Sequence, residues 1–66
     1  MFVIEEKRIM NDNKYIVLEY SFNTKIDLIG YIKKYKLKKL INLNELTISD
    51  KKKKITHIYK LYERNN

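Results

Sequence analysis

The chain contains no cysteine, no proline and no tryptophan, and it has only one glycine and one histidine among 66 residues. Without cysteine it can form neither a disulfide nor a thiolate metal site. Gly30 alone cannot build a glycine-rich phosphate-binding loop. With His57 as the single histidine and the acids scattered, metal-ligand spacing is absent as well. These absences predict a non-catalytic protein that uses no cofactor and no metal ion.

Long hydrophobic runs are also missing. No apolar stretch approaches the roughly 20 residues that span a bilayer. The N-terminal sequence MFVIEEKR has acids where a signal peptide needs basic residues followed by a long apolar segment. We therefore expect a cytoplasmic protein without a membrane partner. Residues 1–66 are predicted to form a single small basic domain, and a homodimer is an open alternative because so small a core gains from further burial.

Four residue types, Lys, Ile, Asn and Tyr, make up more than half of the chain, and Ala and Gln are absent. The favoured residues have AT-rich codons. This composition predicts an AT-rich coding sequence of the kind found in low-GC bacteria, their phages and mobile elements. Part of the lysine excess would then reflect codon usage and not selection for a polyanionic partner.

Codon usage does not explain where the lysines lie. Residues 1–27 contain four Lys or Arg and five Asp or Glu, a net charge of −1. Residues 28–66 contain eleven and three, a net charge of +8, which brings the total to +7. No acid occurs between Asp27 and Glu45. This asymmetry predicts a cationic surface built from the second part of the chain.

Residues 24–40 have the clearest helical period. Thr24 and Asp27 have the spacing of a capping box, with Asp in place of the usual Glu. The helix is predicted to end between Tyr35 and Leu40, and residues 37–43 are predicted to be mainly loop. Lysines occupy the outer side of the helix, and the arc predicted to face the core contains Leu28, Ile29, Tyr31, Ile32 and Tyr35.

Two predicted strands, residues 2–9 and 15–22, flank a turn at residues 10–13 and form an antiparallel hairpin. In the first strand Glu6 and Arg8 continue the apolar face of the strand toward an end that we expect to be exposed. The predicted core face of the second strand contains Ile16, Leu18, Tyr20 and Phe22.

The last part of the chain is predicted to form a second hairpin. Residues 45–49 are interpreted as a short strand and residues 50–54 as a charged turn. Residues 55–63 fit a strand or a helix; the strand is favoured because Ile, Thr and Tyr prefer pleated surfaces. The fold is therefore α+β, in the order β-β-α-β-β, with a four-stranded, mostly antiparallel sheet and one helix packed on one face. A helix at 55–63 would give three strands and two helices.

Lysines interleaved with aromatic residues are the strongest functional signal. Lysine neutralises phosphate as a point charge, and exposed tyrosine can stack on an unpaired base. Two structural explanations stand beside this one: the lysines form an ordinary solvated face, and the tyrosines of the helix belong to the core. His57 is interpreted as a packed or rim residue. The predicted binding residues for nucleic acid or a partner are Lys33, Lys34, Lys36, Lys38, Lys39, Lys51, Lys52, Lys53 and Lys54.

Two functions follow from this pattern. The first is binding to nucleic acid, or to a nucleic-acid-handling complex, with little sequence preference, because arginine, the better reader of base edges, occurs only twice. The alternative is a phage-encoded protein–protein inhibitor of a host or defence enzyme, an anti-CRISPR-like role. In that case the lysines would meet an acidic or nucleic-acid-handling surface of the target.

Overall fold

One four-stranded sheet and two helices make up the computed structural model, which describes residues 1–65. The sheet has the strand order β2-β1-β4-β3, and every neighbouring pair is antiparallel. This confirms the predicted α+β fold. The elements in chain order are β1 (Phe2–Ile9), β2 (Tyr15–Phe22), α1 (Lys25–Lys34), α2 (Lys39–Leu43), β3 (Glu45–Asp50) and β4 (Ile55–Glu63).

The ambiguous segment at the end of the chain is a strand, as favoured above. β4 pairs with β1 on one side and with β3 on the other, so it lies inside the sheet. A strand flanked on both sides satisfies its backbone hydrogen bonds, and its Ile, Thr and Tyr residues suit that position. The first and the last strand of the chain, β1 and β4, therefore pair in the middle of the sheet and join the two hairpins.

One face of the sheet, here called the helix-side face, carries the core. Residues alternate between the faces, so β1 contributes every second residue from Phe2 to Arg8. Among residues 1–65 neither helix packs on the opposite face, where Val3 is fully buried. The core cluster consists of Ile4, Leu28, Ile32, Leu37 and Leu40.

The first helix begins as predicted. The Thr24 hydroxyl oxygen accepts a hydrogen bond from the Asp27 backbone N–H at 3.2 Å, which satisfies one of the free donors of the first turn. The helix ends at Lys34, at the short end of the predicted range. Lys36 then takes a left-handed conformation with φ of 57°, and the Leu37 N–H donates to the Ile32 carbonyl at 2.9 Å. This is a Schellman motif, with Leu37 packed in the same core as Ile32.

A second, short helix occupies part of the segment predicted to be mainly loop. Leu37 and Leu40 are 1% and 0% exposed, and a spacing of three residues puts both on one side of a helical turn. Their burial favours helix α2, which ends where Asn44 adopts a φ of 58°. The Leu61 N–H donates to the Asn44 carbonyl at 2.9 Å and ties this end to β4.

Four side-chain orientations differ from the sequence expectation. Glu6 is only 3% exposed, so the prediction that it approaches an exposed end is wrong. Ile16, Ile29 and Tyr35 are 44%, 37% and 52% exposed, although all three were assigned to core-facing positions. Ile16 lies at the end of β2 that is remote from Tyr20 and Phe22, which pack against the core, and Tyr35 lies just past the last residue of α1. Neither α1 nor α2 is long and apolar enough to cross a bilayer.

Candidate functional site

Four of the predicted lysines line one open groove. Lys33 comes from the last turn of α1, Lys36 from the connection, and Lys38 and Lys39 from the start of α2. Across from them lies the edge strand β3, and the volume between the two sides is about 560 Å³. We call this the lysine groove; its other lining residues are Leu46, Thr47 and Ile48.

The buried leucines explain why these lysines point outward. Leu37 and Leu40 fill the core beneath the connection between the helices. The residues beside them on a tight helical turn must then face solvent. Lys36, Lys38 and Lys39 are all exposed. The same two leucines that produce α2 therefore hold three ammonium groups at the rim of the groove.

Two of the nine predicted lysines occupy strained backbone positions. Lys36 and Lys54 have φ of 57° and 56°, a left-handed conformation that a residue with a β-carbon adopts at a cost of about 1–2 kcal/mol. At the two other left-handed positions of the described chain the residue is asparagine, Asn13 and Asn44, which tolerates this region better. Asparagine has AT-rich codons too, so codon usage does not account for lysine at positions 36 and 54.

The remaining predicted lysines lie outside the groove. The Lys34 ammonium lies over the Tyr35 ring, 5.5 Å from its centroid. Residues 51–54 form the turn between β3 and β4, where the Asp50 carboxylate accepts hydrogen bonds from the N–H groups of Lys52 and Lys53, both at 3.1 Å. This turn directly follows the strand that lines the groove, about 10 Å along the chain from Ile48.

The carboxylates do not neutralise these lysines. All nine lysine side chains are exposed, and within residues 1–65 none of them forms an ion pair. The acids that do form ion pairs contact other cations: Glu6 contacts Arg8 and His57, Asp12 contacts Lys14, and Glu19 contacts Arg64. The groove therefore keeps its full positive charge.

A second cluster, around the buried carboxylate of Glu6, was missed by the sequence interpretation. Arg8 donates to it through Nε at 3.1 Å and Nη2 at 3.3 Å, and His57 Nδ1 lies 2.7 Å from Oε2. Burial by itself raises the pKa of the Glu6 carboxyl, but the hydrogen bonds and charges of Arg8 and His57 outweigh it and the pKa is lowered. The tyrosine at position 20 donates to Oε1 at 3.4 Å.

The sequence carried only a partial signal for this cluster. Glu6 and Arg8 are two residues apart in a strand and therefore share a face. His57 is 51 residues away, and only the pairing of β1 with β4 brings it opposite Arg8. His57 is partly buried, in agreement with its interpretation as a packed or rim residue, and its ring is stacked at 11° to that of Tyr59.

Neither cluster has the ligands of a metal centre. In the described part of the chain, no three His, Cys, Asp or Glu side chains come together as a group that could hold a metal ion. The chemistry that these surfaces offer is the binding of anions. No protein-family model matches the chain, and no curated protein or solved structure matches it significantly.

Proposed function

We propose that this protein binds nucleic acid through the lysine groove, by charge and shape and without catalysis. The observation that carries the proposal is the convergence of Lys33, Lys36, Lys38 and Lys39 on one open groove, where no carboxylate of residues 1–65 is paired to any of them. A polyanion gains most where several cations are within reach of successive phosphates, because each contact releases a condensed counterion. The Lys51–Lys54 turn extends the positive surface beyond the groove.

The strained lysines support the same proposal. A residue kept in an unfavourable backbone region at an exposed position indicates a requirement other than stability. Lys36 lines the groove, and Lys54 belongs to the turn. Both of the left-handed lysines therefore come from the two predicted cation clusters, and each retains a charge where asparagine or glycine would fold more easily.

Low sequence specificity follows from the pairing of both arginines with carboxylates. Arg8 is paired with Glu6 and Arg64 with Glu19. Arginine reads guanine through a free two-pronged guanidinium, and both guanidinium groups already donate to carboxylates. Recognition would then depend on phosphate contacts, which fix position but carry little sequence information.

Binding of single-stranded and duplex DNA and RNA at several salt concentrations tests the proposal. With four phosphates contacted, the slope of log K against log salt is about −3.6 for duplex DNA, so affinity falls roughly 100-fold over a fourfold rise in salt. Oligonucleotides of unrelated sequence should bind within a few-fold of one another. A flat salt response, or no binding at low salt, would overturn the proposal.

A protein–protein inhibitor is the second candidate, and a separate surface favours it. A groove of about 560 Å³ between α1, α2 and the end of β4 is lined by Leu28, Ile29 and Ile41, among others. Two further apolar side chains belong to the same helices: Ile26 and Leu43 are 83% and 64% exposed. Exposed apolar surface of this kind is typical of sites that bind another protein.

Purified components separate the two functions. In the inhibitor hypothesis, Ile41→Ser and Leu43→Ser should weaken binding to a protein target, while affinity for free nucleic acid is negligible in the wild type. In the nucleic-acid hypothesis the same variants bind DNA and RNA as the wild type does. Salt dependence alone does not discriminate, because a cationic protein interface is salt-sensitive too.

A further inference from the structure

In the cluster around Glu6, the side chains of Arg8 and His57 each keep one nitrogen atom that makes no contact with Glu6. Arg8 uses Nε and Nη2 for Glu6, and His57 uses Nδ1. Among residues 1–65, Arg8 Nη1 and His57 Nε2 make no hydrogen bond, and no buried side-chain nitrogen there lacks a partner. Both atoms therefore reach solvent. The side chains of Arg8 and His57 are 32% and 22% exposed, whereas that of Glu6 is 4% exposed.

The buried Glu6 carboxylate fixes the orientation of the Arg8 and His57 side chains. Charge-assisted hydrogen bonds are short and geometrically specific, and a two-pronged arginine contact holds the guanidinium plane. With Glu6 beneath them, Arg8 and His57 turn their remaining nitrogens away from the core. When His57 carries a second proton, the three side chains together have a net charge of +1, and His57 Nε2 becomes a hydrogen-bond donor.

The cluster is next to the lysine groove. On the helix-side face, Arg8 of β1 is opposite His57 of β4, and His57 is opposite Ile48 of β3. Ile48 lines the groove. Adjacent strands are about 5 Å apart, so His57 is one strand and Arg8 two strands, about 10 Å, from the groove wall. This end of the sheet lies beyond the core residues that α1 covers.

We propose that Arg8 and His57, oriented by Glu6, form a phosphate-binding subsite that continues the lysine groove across the sheet. This inference rests on the proposed function, because it adds one nucleic-acid phosphate contact to the four of the groove. The phosphate is that of the nucleic-acid backbone. Binding favours the doubly protonated His57, so affinity rises as the pH falls.

Several other charged or titratable groups face His57 and contribute to the pH dependence of binding. Glu6 and Arg8 face it from β1, and Tyr59 stacks beside it with 6.1 Å between ring centroids. The hydroxyl of Tyr20 on β2 reaches the other oxygen of Glu6. Beyond Ile48 are the lysines of the groove.

The first test uses the wild-type protein. His57 is the single histidine, so its ring signals in an NMR spectrum are unambiguous. Adding a short oligonucleotide should shift these signals together with the side-chain signals of the groove lysines. If the lysine signals move and the ring signals do not, the subsite is wrong and the proposed function stands. If neither moves, both are wrong. If inorganic phosphate shifts the ring and the oligonucleotide does not, the subsite is an isolated anion site and its continuity with the groove is refuted.

The second test compares the two arginines, which are matched in charge and in pairing. Arg8→Gln should make the slope of log K against log salt less negative by about 0.9, the value for one phosphate contact. Arg64→Gln removes the same charge on the opposite face, where Arg64 pairs with Glu19, and should leave the slope unchanged. Equal effects of the two variants would contradict the subsite.

A histidine variant covers the case in which Arg8→Gln does not fold. His57→Gln should remove the gain in affinity that the wild type shows as the pH is lowered. A purely structural role of His57 would change stability but not this pH profile. An identical pH profile in wild type and His57→Gln would overturn the proposal.

Discussion

The two ends of the helix-side face of the sheet are covered in different ways. At one end Ile4 and Leu61 lie among the core residues of α1 and α2. At the other end Glu6 packs under Arg8 and His57, and the outer residues of this row, Ile16 and Ile48, are 44% and 38% exposed. A chain with so few buried apolar residues stabilises one half of this face by burial and holds the other half with polar contacts. The second half is therefore free to carry charge next to the lysine groove.

The apolar end should show the largest effect of a single substitution. Ile32 is fully buried in the core, and Ile32→Ala is expected to lower the free energy of unfolding by about 2–5 kcal/mol. That loss is comparable to the whole stability expected of a domain of this size. Ile26→Ala on the same helix is the control, because Ile26 is 83% exposed, and it should change stability by less than about 0.5 kcal/mol. Urea unfolding of both variants measures the difference; equal losses would contradict the assignment of the core.

The polar end should show a smaller effect that depends on pH. Arg8 and His57 hold the pKa of Glu6 below its ordinary value in spite of burial. The folded protein therefore binds this proton less tightly than the unfolded chain does. The stabilisation is present above the ordinary carboxyl pKa of 4.5 and is lost as the pH falls below it and through the lower pKa of the folded state. Glu6→Gln should cost about 1–3 kcal/mol near neutral pH, and its stability should fall less steeply in acid than that of the wild type.

Glu19→Gln is the matched control for this experiment. The hydrogen bonds from Arg64 and Tyr62 lower the pKa of Glu19 as well, but this group lies on the exposed face, where solvent screens the interaction. Thermal unfolding at a series of pH values should give a smaller change for Glu19→Gln than for Glu6→Gln. The reverse order would show that the buried cluster does not hold the uncovered end together.

The smallest expected effect on stability is in the connection between α1 and α2. Lys36→Asn relieves the left-handed strain and should stabilise the protein by about 0.5–1 kcal/mol. Lys36→Gln removes the same charge but keeps an unfavourable side chain at this position, so no gain in stability is expected. Both variants should weaken nucleic-acid binding to the same extent. Unchanged binding in both would show that the strain at Lys36 has no connection with the groove.

Local sequence signals were sufficient to predict most of the fold. Period-two patterns gave the strands, the Thr24–Asp27 spacing gave the start of α1, and the β preferences of residues 55–63 gave β4. Helix α2 was not predicted because its formation depends on a tertiary event. Leu37, just before α2, and Leu40 within it fill a core that also needs Ile4 from the other end of the chain, and no local pattern in residues 37–43 contains that information.

The candidate site was predictable in composition but not in geometry. The nine lysines were predicted from the charge pattern, and four of them line the groove. The sequence could not show that Lys33 and Lys39 would line it and Lys34 would not. The contact between Glu6 and His57 depends on the register of β1 against β4. Such long-range pairing follows from the whole fold, and a single sequence gives no signal for it.

Two variants with equal net charge test the central proposal most directly. Each replaces four lysines by glutamine and so lowers the formal net charge from +7 to +3. The groove variant changes Lys33, Lys36, Lys38 and Lys39. The control variant changes Lys7, Lys14, Lys25 and Lys60.

The measurement is the slope of log K against log salt for one oligonucleotide with the wild type and both variants. If the groove is the binding surface, the groove variant loses about 3.6 from the magnitude of the slope for duplex DNA, and the control variant keeps the slope of the wild type. Equal losses in the two variants would show that binding depends on net charge alone. The groove would then not be the binding surface.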